Sequence, residues 1–332
     1  MIISRTPLRV SFVGGGSDLP AFYTQEPGAV VSTGINKYIY IDVNRKFDHK
    51  IRASYSQTEI VDTVDQLKHE LIREAMKLTG VTTGVEITSI SDVHSYGTGL
   101  GSSSTYTVGL LNALYAYCGR HVGAARLASE ASQIEIELCG KPIGKQDQFI
   151  AAYGGLQYIQ FNPDGSVFTD PILCKPETRR TLESRLLMLY TGITRSADNI
   201  LSEQKSNTTS DSSKRDTLRQ MTQMARDLRV VLGDNDLDAF GEILHEAWML
   251  KRGMASGISS GQIDDWYDRA RKSGALGGKI LGAGGGGFLL VYAHPEHHPA
   301  IKAALPELEE MPFRFEPQGS KIIYVEEEYG SA

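Results

Sequence analysis

The chain has 332 residues, and its 34 lysines and arginines against 40 aspartates and glutamates give a formal net charge of −6. Hydrophobic residues at 41 % and charged residues at 22 % are ordinary for a globular protein, which excludes a disordered, collagen-like or coiled-coil chain. The mildly acidic balance argues against nonspecific binding to nucleic acid or to a membrane surface, because those partners need clustered lysine and arginine.

No apolar run approaches the roughly 18 residues of a membrane helix. The first residues have neither a secretory signal nor a transit peptide, so a cytoplasmic protein is expected. Cys118, Cys139 and Cys174 have no paired spacing, which argues against disulfides and against a thiolate zinc site. Assembly into a homo-oligomer is left open by the sequence.

The first half of the chain alternates predicted strands and helices. Apolar alternation and helical spacing predict strands over 2–13, 37–44, 84–90 and 156–161, and helices over 64–78, 105–118 and 127–138. A glycine-serine loop over 95–104 separates a strand from a helix. The polar stretch 171–181 is the predicted boundary between domains 1–175 and 176–332.

The second half begins with a predicted strand at 186–190. Residues 203–214 contain no apolar side chain and predict a mobile polar loop. Helical spacing then runs from 218 to 270, and strands follow at 288–292 and 321–325. Strands, helices and returning strands in each half predict two α+β domains.

The most informative segment is the glycine-serine loop with the start of the helix after it. Its glycines permit tight turns with inward-facing amides, and the first helical turn adds unpaired N–H donors and a positive dipole end. These features predict a phosphate cradle, with serine hydroxyls able to cap the helix or ligate magnesium. The residues are Gly97, Thr98, Gly99, Leu100, Gly101, Ser102, Ser103 and Ser104. The plain alternative is a surface loop with capping serines.

Two further glycine clusters lie near the two ends of the chain. At residues 14–18 a strand runs into Gly-Gly-Gly-Ser-Asp, where Ser17 and Asp18 could accept hydrogen bonds from sugar hydroxyls. At residues 282–287, Gly-Ala-Gly-Gly-Gly-Gly costs backbone entropy unless bare backbone is needed. A tight turn is the alternative for the first cluster, and a β-bulge or hairpin turn for the second.

The three clusters together resemble the three motifs of the GHMP small-molecule kinases, in the family order and over nearly the whole chain. The glycines of the third motif are Gly282, Gly284, Gly285 and Gly286. The first cluster and residues 144–148, Gly-Lys-Gln-Asp-Gln, most resemble the heptose 7-phosphate kinase branch, with L-fucokinase domains as near neighbours. The resemblance implies an N-terminal domain like the second domain of ribosomal protein S5 and a ferredoxin-like C-terminal domain.

The resemblance also implies roles for individual residues. The segment 97–104, called the phosphate loop below, would wrap the ATP phosphates. Ser103 and Glu135 would hold Mg²⁺, and Asp147 would take the proton of the acceptor hydroxyl. Helical spacing alone leaves Glu135 and Glu137 equally placed, and only the family pattern prefers Glu135. Arg9 could stabilise the ionised Asp147 or the phosphoryl group, or could pair with a surface acid instead.

The acceptor site departs from the galactokinase pattern, which has Glu-His where Gly15 and Gly16 stand. Glycines there could leave room for a larger sugar. Lys145 and Arg195 are candidates for holding a substrate phosphate, because charge-assisted contacts suit that group.

The resemblance therefore implies an ATP- and Mg²⁺-dependent kinase that binds its substrates between the domains. It would phosphorylate the anomeric hydroxyl of D-glycero-D-manno-heptose 7-phosphate to the 1,7-bisphosphate, a step toward nucleotide-activated heptose. The alternatives are a kinase for another sugar such as L-fucose, and a non-catalytic sugar sensor on the same fold.

Overall fold

The computed structural model describes residues 1–93, 97–194 and 197–326. The helices are α1 Pro20–Tyr23, α2 Glu70–Thr79, α3 Ser102–Tyr117, α4 Ala124–Ser132, α5 Gln146–Tyr153, α6 Pro176–Ser184, α7 Ala197–Ser210, α8 Ser212–Gly233, α9 Leu237–Lys251, α10 Gly261–Lys272 and α11 His298–Ala304. The strands are β1 Ile2–Val13, β2 Gly28–Arg45, β3 Ile51–Ser54, β4 Thr58–Val61, β5 Val85–Ser91, β6 Leu156–Phe161, β7 Val167–Pro171, β8 Leu186–Tyr190, β9 Ala275–Ile280, β10 Phe288–Ala293, β11 Glu309–Glu310 and β12 Lys321–Val325. Short 3₁₀ turns lie at Val64–Gln66 and Pro295–His297, and a π-helical segment at Gln133–Leu138.

The larger sheet is built around the long strand β2. Its order is β12-β1-β2-β5-β3-β4, and β6 pairs with the first part of β2 and with β7. All neighbours are antiparallel except β3 and β5. Helix α3 packs against β1 and β2. The phosphate loop, which enters α3 at Ser102, therefore lies beside β1, where the backbone N–H of Arg9 donates to the Leu100 carbonyl at 3.1 Å.

The smaller sheet has the antiparallel order β11-β8-β10-β9. Helix α9 packs on β9, and α8 and α9 also reach β1 of the larger sheet. Their inward faces repeat every three or four residues, and Leu228, Leu232, Phe240 and Leu244 are fully buried. These helices therefore carry the second half of the chain onto the first, and the predicted α+β architecture is confirmed.

The predicted boundary near residue 175 falls between β7 of the larger sheet and β8 of the smaller sheet. Strand β12, however, pairs with β1 and belongs to the first sheet. The end of the chain therefore returns to the N-terminal half. The boundary itself stays a prediction.

The predicted mobile loop at 203–214 is wrong. This segment is helical, with α7 running to Ser210 and α8 starting at Ser212, and the Asp211 side chain accepts from the Ser213 amide to cap the second helix. Ile200, Gln204 and Thr208 form a buried stripe at a spacing of four residues. Because two of these three are polar, the stripe does not register as hydrophobic periodicity.

Some predicted helix boundaries also shift. The helix expected over 64–78 is shorter, since a 3₁₀ turn at Val64–Gln66 precedes α2. The helix expected around 127–138 begins as α4 and continues as the π-helical segment. No helix among the described residues is long and apolar enough to cross a membrane.

Candidate active site

A cavity of about 340 Å³ lies where the first and third glycine clusters meet the phosphate loop. Its walls come from both halves of the chain: the end of β1, the N-termini of α3, α5 and α7, the end of α9, and β9. About half of the lining residues have charged or hydroxyl side chains. They include Arg9, Ser11, Asp18, Thr98, Ser102, Ser103, Ser104, Lys141, Asp147, Asp198, Lys251 and Lys279.

The phosphate loop turns into α3 at the floor of this cavity. Gly97, Gly99 and Gly101 all have positive φ, and Gly101 is the N-cap of the 16-residue helix. The Thr98 Oγ1 and Ser102 Oγ atoms are buried without a hydrogen-bond partner among the described residues. A helix N-terminus with orphaned hydroxyls beside it is suited to binding the oxygens of an anion.

The third glycine cluster lies directly against this loop. A Cβ on Gly282 would come 2.5 Å from Gly99 Cα, and a Cβ on Gly99 would come 2.3 Å from the Leu281 carbonyl. On the other side of the cluster, Gly284 and Gly285 contact Ile258. Gly286 contacts Ile193. The backbone needs glycine here because two loops touch with no room for side chains.

Arg9 and Asp147 form a bidentate ion pair in the cavity. Nε and Nη2 of Arg9 each donate to a different carboxylate oxygen of Asp147 at 2.6 Å, and Nη1 donates to the Gly99 carbonyl at 2.5 Å. Arg9 is 4 % exposed, whereas the Asp147 side chain is 22 % exposed on the cavity side of the pair. The guanidinium therefore neutralises the carboxylate, fixes its orientation and ties it to the phosphate loop.

Glu135 is fully buried and binds to the first turn of α3. Its Oε1 accepts from Ser103 Oγ at 2.5 Å and its Oε2 accepts from Gln148 Nε2 at 2.6 Å. Burial raises the pKa of this carboxyl, and the hydrogen bonds from Ser103 and Gln148 act in the opposite direction. Glu137 is exposed. The π-helical segment turns Ile134 and Glu135 inward together, so the structure settles which glutamate faces the loop.

The first glycine cluster closes the opposite wall. Asp18 is 3 % exposed, and its carboxylate accepts from the Gly16 amide at 2.8 Å and the Gln146 amide at 3.4 Å. Burial raises its pKa. Gly15 and Gly16 line the cavity, but Ser17 does not, because its hydroxyl bonds to the Gly14 and Ala29 carbonyls. Ser17 holds the loop in shape and does not face the space a sugar would occupy.

Lys145 and Arg195 are the two cations predicted for a substrate phosphate, and the structure describes only the first of them. The Lys145 ammonium lies 5.0 Å from the ring centroid of Tyr23 and donates to the Gly165 carbonyl at 3.3 Å, and Lys145 is not among the lining residues. The Lys145 side chain therefore points away from the main cavity. Arg195 lies outside the described residues.

Two other lysines, which the sequence analysis did not select, face the cavity. Lys251 is 6 % exposed and Lys279 is 8 % exposed. Burial lowers the pKa of Lys251 to about 8, and burial with the nearby charges of Lys251 and Arg9 lowers that of Lys279 to about 7. Helical spacing could have indicated the burial of Lys251, because Leu244, Trp248 and Lys251 follow one stripe on the buried face of α9.

A second cavity shares Ser102 and Ser103 with the first. Its volume is about 730 Å³, and Tyr55, His69 and Tyr106 line it. The Tyr106 hydroxyl is buried with no partner among the described residues, and burial raises its pKa. The start of α3 therefore lies between two cavities, one lined by charges and one lined by aromatic rings.

Comparison with known proteins identifies this architecture. Residues 62–155 match the family model described as "GHMP kinases N terminal domain", and residues 224–310 match "GHMP kinases C terminal", so that together the two models match more than half of the chain.

The chain is similar to individual proteins over most of its length. It is 29 % identical over 319 residues to D-glycero-alpha-D-manno-heptose 7-phosphate kinase of Campylobacter jejuni, covering 92 % of this chain and 94 % of that protein. It is 25 % identical to the L-fucokinase/L-fucose-1-P guanylyltransferase of Bacteroides fragilis, over 92 % of this chain and 36 % of that longer protein. The crystal structure of a D-glycero-D-manno-heptose 1-phosphate kinase from Bacteriodes thetaiotaomicron has the same fold, with a TM-score of 0.82 at 24 % identity, covering 98 % of this chain and 100 % of that one.

Proposed function

The chain belongs to the GHMP kinase family, and on that basis we propose that it transfers the γ-phosphoryl group of ATP to the anomeric hydroxyl of D-glycero-D-manno-heptose 7-phosphate. The product is the 1,7-bisphosphate, a precursor of nucleotide-activated heptose. The observation that carries the proposal is the Arg9–Asp147 pair, which is hydrogen bonded to the phosphate loop and exposed to a cavity rich in cations.

The nucleotide is placed by the start of α3. Its phosphates occupy the main cavity against Gly97–Ser104, where the orphaned Thr98 and Ser102 hydroxyls lie. Its base and ribose occupy the second cavity, where Tyr55 and Tyr106 supply apolar surface and the Tyr106 hydroxyl has no partner among the described residues. Ser102 and Ser103 line both cavities, which supports a nucleotide that reaches from one to the other.

Ser103 and Glu135 are suited to be the protein ligands of a magnesium ion. A hydroxyl and a carboxylate oxygen lie 2.5 Å apart at the phosphate loop, and both are the hard oxygen ligands that Mg²⁺ prefers. Among the described residues there is no group of three or more His, Cys, Asp or Glu side chains that could hold a metal. When bound there, Mg²⁺ would neutralise the charge of the transferring phosphates.

Asp147 receives the acceptor hydroxyl. Each carboxylate oxygen already accepts one hydrogen bond from Arg9 but has a second lone pair, so Asp147 can also accept from the substrate. The acceptor oxygen forms the new bond to phosphorus, the bond from the γ-phosphorus to the bridging oxygen breaks, and ADP leaves. The hydroxyl proton passes to Asp147, and the loose transition state makes alignment matter more than base strength.

Coupled ATP turnover with Mg²⁺ against a panel of sugars tests the proposal. The panel contains D-glycero-D-manno-heptose 7-phosphate, the corresponding 1-phosphate, unphosphorylated heptose, mannose 6-phosphate, L-fucose and galactose. The expected result is a clear preference for the heptose 7-phosphate. Preference for L-fucose, galactose or a 1-phosphate would keep the kinase and overturn the acceptor.

The same panel addresses the sensor alternative. A sensor needs neither the Asp147 carboxylate in its ion pair nor a serine and glutamate at the phosphate loop, and all three are in place. Sugar binding without turnover on any member of the panel would favour a sensor. The cytoplasmic location stays a prediction.

A further inference from the structure

Two buried lysines in the main cavity have only neutral partners. The Lys251 ammonium donates to the Gly15 carbonyl at 3.1 Å and to Gln204 Oε1 at 2.8 Å. The Lys279 ammonium donates to the Phe12 carbonyl at 3.0 Å. Neither forms an ion pair with a carboxylate of the described residues, in contrast to Arg9.

Such an arrangement is unfavourable unless a ligand completes it. A buried cation without a counter-ion has a high desolvation cost. An ammonium has three donors, so one donor of Lys251 and two of Lys279 are not used by the described residues. Both side chains line the cavity, which gives an anion access to these donors.

From these contacts we infer that Lys251 and Lys279 form a second anion site, which binds the phosphomonoester that the acceptor already carries. The inference rests on the proposed function in one respect, namely that the acceptor is a sugar phosphate. It assigns the non-transferred phosphate to the second half of the chain and leaves the nucleotide phosphates to Gly97–Ser104.

The two anion sites are separated along β1. Arg9 contacts Asp147 and the phosphate loop, whereas the lysines contact the carbonyls of Phe12 and Gly15 farther along the chain. At about 3.3 Å per residue, Phe12 lies about 10 Å along the strand from Arg9. The anomeric hydroxyl and the phosphate of a sugar 7-phosphate are at opposite ends of the molecule, so one acceptor can reach both sites.

The Asp18 carboxylate lies near the lysines but does not serve as their counter-ion. Asp18 is close enough to affect the electrostatics of both lysines, but its oxygens accept from the Gly16 and Gln146 amides. A dianionic phosphate would balance the two ammonium charges. Asp18 would then lie between the transferring end and the phosphate end of the acceptor, beside the sugar hydroxyls.

Gly16 is needed to build this site. Its φ is +111°, and a Cβ there would come 2.1 Å from Gln204 Nε2. Gln204 is fully buried, and its other amide atom, Oε1, orients the Lys251 ammonium. The space at Gly16, which the sequence analysis assigned to a larger sugar, is filled by Gln204.

The test compares phosphorylated and unphosphorylated heptose as acceptors. For the wild type, we expect kcat/KM to favour the phosphorylated sugar. Lys251→Met should lower kcat/KM for heptose 7-phosphate by about 100-fold more than for heptose, since charge-assisted hydrogen bonds are lost. Lys279→Met should act in the same direction, mainly through KM for the acceptor and with KM for ATP little changed.

Two further lysine variants complete the test, one as a matched control and one as the competing assignment. Lys205→Met removes the same charge from an exposed position next to Gln204 on α7 and should leave the ratio between the two acceptors unchanged. Lys145→Met tests the residue selected from the sequence. If Lys145→Met abolishes the preference and Lys251→Met does not, the assignment is overturned.

Failure of the inference and failure of the proposed function give different results. If the wild type prefers mannose 6-phosphate and Lys251→Met removes that preference, the heptose acceptor is wrong and the anion site stands. If the wild type does not discriminate between phosphorylated and unphosphorylated sugars, or if both lysine variants keep its ratio, the anion site is wrong. Calorimetric titration of heptose 7-phosphate with a non-hydrolysable ATP analogue bound checks that loss of turnover in Lys251→Met is loss of acceptor binding.

Discussion

The two ends of the main cavity differ in how their charged groups are satisfied. At the proposed transfer end, formed by Arg9, Asp147, Ser103 and Glu135, Arg9 and Asp147 form a bidentate ion pair, and both Glu135 oxygens accept a hydrogen bond. At the proposed acceptor end, formed by Lys251 and Lys279, the ammonium groups donate only to carbonyl and amide oxygens and have donors that no described residue uses.

The difference separates two tasks. Oppositely charged groups that bond to each other, as in the Arg9–Asp147 pair, hold a fixed geometry before substrate binds, which suits the alignment of a phosphoryl transfer. Ammonium groups with unused donors can bind an anionic ligand, which suits selection of a substrate by its own charge. The transfer end should therefore control turnover, and the acceptor end should control discrimination and stability.

The largest effect is expected from Asp147→Asn at the transfer end. The amide keeps the size of the side chain but cannot take the acceptor proton or pair with Arg9 by charge. Turnover should fall by about 100-fold or more, with ATP binding nearly intact, as measured by steady-state kinetics and nucleotide titration. Unchanged turnover would remove the base assignment.

A smaller effect is expected from Glu135→Gln. The variant keeps a hydrogen-bond acceptor for Ser103 but removes the negative charge that a metal ligand supplies. The Mg²⁺ concentration for half-maximal turnover should rise about 10-fold. Glu137→Gln, at an exposed position two residues away, is the matched control and should leave that concentration unchanged. Equal behaviour of the two variants would contradict the metal role.

The neighbouring glycines of the first cluster test how the acceptor end is built. Gly16→Ala places a Cβ at 2.1 Å from Gln204 Nε2 with a φ of +111°, and it should lower the free energy of unfolding by about 1–3 kcal/mol. Gly15→Ala meets no atom closer than 3.5 Å and should change stability much less. Denaturant unfolding measures both, and equal losses would disprove the role given to Gly16.

The smallest effect is a pH-dependent stability difference between the wild type and Lys279→Met. Burial lowers the pKa of Lys279 from 10.5 to about 7, so below pH 7 the folded protein contains the full cost of a buried charge. Between pH 7 and about 10, mainly the unfolded chain binds that proton, so the free energy of unfolding of the wild type rises with pH. Lys279→Met has no buried charge at this position. It should therefore melt a few degrees higher than the wild type at pH 6 in phosphate-free buffer, and this difference in melting temperature should disappear toward pH 10. A difference that does not vary with pH would show that Lys279 is not a buried charge.

Part of the proposed transfer end follows from the sequence, because the phosphate loop is a contiguous motif. The order strand, glycines and serines, helix indicates a phosphate cradle by itself, and the family pattern adds Glu135 and Asp147. The choice of Glu135 over Glu137 could not come from helical spacing, because the π-helical segment changes the direction of the side chains.

The acceptor end could not be predicted in the same way. Its lysines come from α9 and β9, and they meet Gly15 and Phe12 only after the two halves of the chain pack together. The sequence predicts a loop for the segment that carries Gln204, because a buried polar stripe has the same sequence pattern as a solvated one. Hydrophobic periodicity does not separate a polar side chain that faces a neighbouring helix from one that faces water.

The return of β12 to β1 has a consequence for synthesis on the ribosome. Ile2–Arg5 pair with Lys321–Val325, and on the way the Asn36 and Gly155 amides donate to the Arg314 and Glu316 carbonyls. The first strand therefore leaves the ribosome long before its edge partner is made, and that edge stays open while the rest of the chain is translated. The N-terminal sheet is completed only when residues 321–325 emerge, so a nascent chain that stops before them lacks the strand that pairs with the edge of β1.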